Sequence, residues 1–181
     1  MTKAKIAVKG GDRLIASLQR IARNLNKDTL QVGFLEGSTY PDGTSTPMVG
    51  AIQEFGAPRA GIPPRPYIRP TVKEHSSEWP EQIADQLKKT NYNSRITLTR
   101  MGAVIKGEIQ LAIRDVQSPP LSPVTLMVRQ IVGPNGRATF ADVLEARRRV
   151  KAGEHAQGVS AKPLIWTSHL LNSVDFRVVR K

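Results

Sequence analysis

Apolar positions along the chain fall into periodic runs separated by turn-rich stretches. Leu14, Ile15, Leu18, Ile21, Ala22 and Leu25 recur at helical spacing, with Arg13, Gln19, Arg20 and Arg23 on the other side. Residues 12–25 therefore read as an amphipathic helix with Asp12 as its N-cap. Before it, Ile6 and Val8 alternate weakly over 5–9, as in a short edge strand. After it, Leu30, Val32 and Phe34 alternate with Gln31 and Gly33, which predicts a strand over 29–35. A polar, turn-rich loop over 36–47 leads to a short helix through Met48, Val49, Ile52 and Phe55, closed by Gly56.

Residues 57–70 contain five prolines, at 58, 63, 64, 66 and 70. That density predicts an extended, polyproline-like arm with no regular helix. Thr71 is placed to cap a helix near 72–90, with Pro80 as a second possible start. The longest helical pattern is 96–116, where Met101, Val104, Ile105, Ile109, Ala112, Ile113 and Val116 form a broad stripe. Gly102 and Gly107 interrupt it and permit close approach by a neighbouring backbone. Ser118-Pro119-Pro120 ends it.

Beyond this the pattern is poorer. Ser122-Pro123 can open a short helix through Leu126, and 126–132 reads as one arm of a hairpin before the turn Gly133-Pro134-Asn135-Gly136. Thr139 caps a helix over 140–150, residues 151–160 read as a mobile loop, 164–171 as a helical turn and 174–179 as a closing strand. The expected fold is α+β, a single domain over 1–181. It has a small, mostly antiparallel sheet packed by two or three helices, a Pro-rich arm at 57–70 and a basic insertion at 126–161.

Charge changes the picture more than composition does. Lys and Arg number 27 against 15 Asp and Glu, a formal net charge of +12. Residues 118–181 hold 10 basic and 4 acidic side chains, half of that net charge in about a third of the length. Such a surface favours acidic partners, nucleic acid among them. Cysteine is absent, which excludes disulfides, thiolate catalysis and cysteine-ligated zinc. No stretch approaches the roughly 20 apolar residues of a membrane helix, so a cytoplasmic setting without a membrane partner is expected.

No catalytic set assembles. His75, His155 and His169 stand apart, with no metal-ligand spacing. Gly10-Gly11 before a helix lacks the spacing of a phosphate loop, and Asp12 would repel phosphate there. Ser168–His169 lacks the glycine elbow of a nucleophile. Among the carboxylates Glu54, between Ile52 and Phe55, is the one in an apolar setting. The run Arg147-Arg148-Arg149 could touch phosphates or an acidic protein, and it also suits a helix C-terminus.

Three stretches occur in order: VGAIQEFGAPRAGIPPRPYIRP at 49–70, SPPLSPVT at 118–125 and KPLIWTSHLLNSV at 162–174. Together they resemble the neck or tail-completion proteins of tailed bacteriophages, also described as virion-morphogenesis or minor tail components. The matching positions are Ala51, Glu54, Phe55 and Gly56, then Ile62 to Tyr67 and Arg69. They continue with Pro120 to Pro123 and Thr125, and then Lys162 to Ile165, Thr167, Leu170 and Ser173. Trp166 and Ser168 stand where the family usually has Asp and Gly.

The resemblance implies a non-enzymatic virion protein at the head–tail junction, with no cofactor. It would form a homo-oligomeric ring that completes or terminates the tail and joins it to portal-side connector proteins and to the tail tube or its terminator, with non-specific contact to genomic DNA possible. The expected partner contacts are Glu54, Phe55, Ile62, Arg65, Tyr67 and Arg69 on the arm and Arg147, Arg148 and Arg149 on the insertion. The arm has an equally natural use inside its own chain, covering the sheet. A basic nucleic-acid-binding protein is the alternative function, and a hydrolase built on Ser168–His169 a weaker third.

Overall fold

The computed structural model describes residues 11–25, 28–134 and 136–180. The strand expected at 5–9 lies outside what is described, and the first helix starts at Gly11, one residue before its expected Asp12 cap. The fold is α+β: eight α-helices and a two-stranded antiparallel sheet among the described residues.

The sheet pairs β1 (Asp28–Phe34) with β2 (Val174–Arg180), the first strand with the last described element. Leu30 faces Val178, Val32 faces Phe176 and Phe34 faces Val174, so one side of the ribbon is apolar. On the other side Gln31 accepts a 2.7 Å bond from Arg177 across the ladder. A two-stranded ribbon has marginal stability alone. Here α5 (Ser94–Asp115) lies across both strands and supplies the missing layer. Asn93 caps α5 by accepting from the Ile96 amide at 3.1 Å. Ile105, Ile109 and Ile113 of α5 are buried with Tyr67, Leu164, Leu170 and Val174 in the main core.

The shorter helices surround this unit. α1 (Gly11–Leu25) leaves Ile15 and Leu18 more than half exposed. α2 (Thr46–Phe55) starts at a Ser45 cap and ends at Gly56. A 3₁₀ turn (Pro58–Ala60) precedes α3 (Ile68–His75) and α4 (Trp79–Lys89). The Trp79 indole N–H donates to Glu108 at 3.1 Å, tying α4 to α5. α6 (Pro123–Val132) and α7 (Phe140–Lys151) pack on each other, and each contributes a fully buried side chain, Met127 and Ala146. The short α8 (His169–Asn172) leads into β2.

Several expectations need correction. Residues 126–132 form helix α6 and no hairpin arm. Ser122 accepts from the Thr125 amide at 3.1 Å, Pro123 sits in the first turn, and Val124, Met127, Val128 and Ile131 share one face. The β-branched residues made a short apolar run ambiguous. Helix also starts inside the Pro-rich stretch, at Ile68, with Pro70 in the first turn where its missing N–H costs nothing. Thr71 does not cap that helix. Its hydroxyl donates back to the Tyr67 carbonyl at 2.6 Å. The helix expected near 72–90 is two helices, broken between His75 and Trp79. Of the loop expected over 151–160, Lys151 ends α7 and 152–160 are irregular, yet they are tied to α6 through Gln157 on Gln130 and Ser160 on Arg129.

The two glycines of α5 differ. A Cβ on Gly102 would lie 2.7 Å from Phe176 Cγ and 2.9 Å from a Leu30 methyl, so side chains of the sheet, not its backbone, use that gap. A Cβ on Gly107 would meet nothing within 4 Å. Gly107→Ala should therefore stabilise the protein by roughly 1 kcal/mol, the helix-propensity difference. Gly102→Ala should destabilise it, because overpacking of about 1–3 kcal/mol opposes that gain. Urea unfolding of both variants checks the opposite signs.

Candidate interaction site

The three motif stretches meet around one carboxylate and two arginines. Glu54 ends α2, where Gly56 holds φ +78° and turns the chain. A Cβ on Gly56 would stand 2.8 Å from the Pro64 nitrogen and 2.9 Å from the Ile62 carbonyl oxygen, so only glycine fits. Ala57 and Ile62 pair in an antiparallel bridge that folds the arm back, and the Arg65 amide then donates to the Gln53 carbonyl at 2.7 Å. The arm therefore docks on the helix that precedes it.

This docking brings the start of α3 onto Glu54. Its carboxylate accepts from the amides of Tyr67 (2.7 Å), Ile68 (2.9 Å) and Arg69 (3.1 Å). It also accepts from Arg69 Nε at 2.9 Å, while Arg69 Nη2 donates to the Glu54 carbonyl at 2.9 Å. Tyr67, at the N-cap position of α3, makes no cap bond with its own side chain. Glu54 is thus a cap supplied from another helix, meeting the orphan amides and the positive end of the dipole together. Burial pushes its carboxyl up, but the three amides and Arg69 outweigh this and hold it below the ordinary glutamate value. The Tyr67 hydroxyl donates to the Gly50 carbonyl at 3.0 Å, and its ring meets Phe34 edge-on. Burial, then the Glu54 charge, push that phenol up.

Two buried arginines extend the lock. Arg65 donates to the carbonyls of Pro119 (3.0 Å) and Pro120 (3.4 Å), which joins the arm to the second motif. Arg129, on α6, donates to four carbonyls: Ser160 (2.7 Å), Lys162 (3.0 Å), Pro163 (3.0 Å) and Ile165 (3.2 Å). That holds the third motif, and the guanidinium also lies over the Trp166 ring at 5.7 Å. Burial pulls the pKa of both arginines down, and the nearby Arg65 charge adds to the effect on Arg129. Ser168, where the resemblance has Gly, stands at φ +58°, a conformation that glycine adopts most easily.

The expected contact residues separate into two groups. Glu54, Arg65 and Tyr67 are buried and bonded within the chain, so the arm is used inside its own subunit at these positions. Phe55 is 62% exposed with the Arg69 guanidinium 4.8 Å above its ring, and Ile62 is half-buried. Phe55 and Arg69 border a shallow, mainly apolar cavity of about 230 Å³ that Phe34, Pro47, Ala51 and Ile68 also line. The triple-arginine run is partly neutralised. Arg148 and Arg149 both bond Glu145 at 2.7 Å, and these hydrogen bonds hold its carboxyl at about 2. Arg129 went unnoticed in the sequence. Its signal was a lone charge inside the apolar run LMVRQIV.

No family model, curated protein or solved structure matches the chain. Among the described residues no group of three His, Asp or Glu side chains could hold a metal ion. No hydrogen bond joins Ser168 to His169, whose ring instead lies 4.2 Å from that of Tyr40. No described helix is long and apolar enough to cross a membrane.

Glu54→Gln keeps the shape and removes the charge, and should cost roughly 1.5–3 kcal/mol, the worth of a hydrogen bond to a charged group. The folded carboxyl titrates below the unfolded one. Its stabilisation is therefore present above about pH 4.3, the unfolded glutamate value, and is lost as pH falls through the folded pKa. Thermal unfolding from neutral to acid pH should show the gap between wild type and Glu54→Gln closing below that value. Arg129→Met should destabilise by about 3 kcal/mol, since it strands carbonyls that were bonded to a charge. Arg129→Lys should not restore stability, because an ammonium cannot reproduce the fork. Denaturant unfolding of both variants checks this.

Proposed function

We propose that this chain is a structural protein of the head–tail junction of a tailed bacteriophage. It completes or terminates the tail and joins it to the head connector as a homo-oligomeric ring, and it performs no catalysis. The observation that carries this reading is the meeting of the three ordered motifs in one bonded unit. Arg65 bonds the first motif to the second, Tyr67 of the first shares a core with Leu164 and Leu170 of the third, and Arg129, just beyond the second, grips the third. The left-handed Ser168 at a glycine position supports it further.

The surface suits a subunit that needs neighbours. Ile15 and Leu18 on α1, Met48 and Phe55 at α2, and Phe140 and Leu144 on α7 are all about half exposed or more. Ile15 with Leu18 and Phe140 with Leu144 each stand one turn apart, so each pair forms a short apolar strip that a neighbouring copy would cover. Heterologous contacts between copies would close them into a ring. In this reading the portal-side connector and the tail tube or its terminator take the two faces of the ring, and the protein resides in the virion after assembly in the host cytoplasm.

The test is electron microscopy of particles made by a phage lacking this gene. Filled heads and unattached or incomplete tails are expected. Joined, infectious particles of normal appearance would reject the proposal.

A further inference from the structure

Where β2 ends and α5 begins, the surface holds a cleft of about 680 Å³. Three arginines line it, each from a different part of the chain: Arg20 on α1, Arg95 in the first turn of α5 and Arg180 at the end of β2. All three are exposed, and none forms an ion pair among the described residues. The arginines of α7 contrast with them, since two of those share Glu145. Among the described residues lining the cleft, Asp28 alone carries a carboxylate, and it accepts a hydrogen bond from the Ser94 hydroxyl.

The rest of the lining adds to the same chemistry. Asn91 and Asn93 bring amide groups, and Asn93 sits at the positive end of the 22-residue helix α5. Tyr92, 43% exposed and held at φ +58°, brings an aromatic ring to the lining of the same cleft. Cations for phosphates next to an aromatic face for a sugar or base are the two parts of a nucleic-acid groove. An acidic protein surface would need the cations alone.

We propose that this cleft binds the phosphates of a nucleic-acid backbone, without reading sequence. The assignment does not rest on a place in the phage neck, although a junction traversed by DNA would give it a use. Guanidinium forks match phosphate oxygens, and each phosphate neutralised releases condensed counterions, so affinity must fall with salt.

The test is fluorescence anisotropy of a short labelled DNA duplex, titrated with the full chain between about 50 and 200 mM salt. The triple variant Arg20→Gln, Arg95→Gln, Arg180→Gln should bind at least tenfold more weakly at the lower salt. Its log–log salt slope should be shallower by about 0.9 for each phosphate that the variant no longer neutralises. Arg147→Gln, Arg148→Gln, Arg149→Gln should shift the slope by less. Far-ultraviolet circular dichroism checks that the triple variant is folded, and Arg95→Gln alone provides a milder change with a smaller shift in the same direction. An unchanged slope in the folded triple variant would overturn the proposal. So would failure of the wild-type chain to bind the duplex, or competition by polyglutamate as effective as by unlabelled DNA. None of these outcomes bears on whether particles lacking the protein are joined.

Discussion

The carboxylate of Glu54 decides how the Pro-rich arm sits. A helix start leaves amides without partners, and proline-rich sequence before it offers no capping side chain. Here α2 provides the cap, so α3 can begin only when the arm has folded back over α2. Tyr67 is then fixed in the core beside Phe34 of β1, and Arg65 is turned towards Pro119. Backbone geometry, core packing and the link to the second motif all follow from one charged group in one place. A carboxylate 2% exposed would be costly without partners, and its amide and guanidinium donors offset that cost.

Much of this was legible before the structure. The helix expected over 12–25, both strands, α5 and the Thr139-capped helix have strong periodicity or capping residues, and they stand within a residue or two of where the pattern puts them. The errors share a cause. At 126–132 a short apolar run fits both periods, and only its burial against α7 decides between them. At 68–70 the prolines suggested an extended chain, because the acceptor that stabilises this helix start lies in another helix. Local sequence could mark Glu54 as unusual but could not supply its partners.

The site was legible in part for the same reason. The arm residues lie adjacent in sequence, and their grouping was visible. Which of them point inward was not, since that depends on Gly56, the Ala57–Ile62 bridge and the Gln53 carbonyl. Charge was legible only in part. Arg147 to Arg149 stand out as a run, yet Glu145 lies one helical turn before two of them and takes much of their field. Arg20, Arg95 and Arg180 have no sequence signature, and only the folded chain brings them to one cleft.

Arg65 and Arg129 bond to main-chain oxygens and, among the described residues, to no acidic side chain. Every residue carries such an oxygen, so the acceptor survives replacement of the side chain attached to it. The lock therefore depends on the two donors and on the path of the main chain, and not on any charge in the segments they grip. It holds at every pH at which the guanidinium groups keep their protons, since no carboxylate in it can be neutralised by acid.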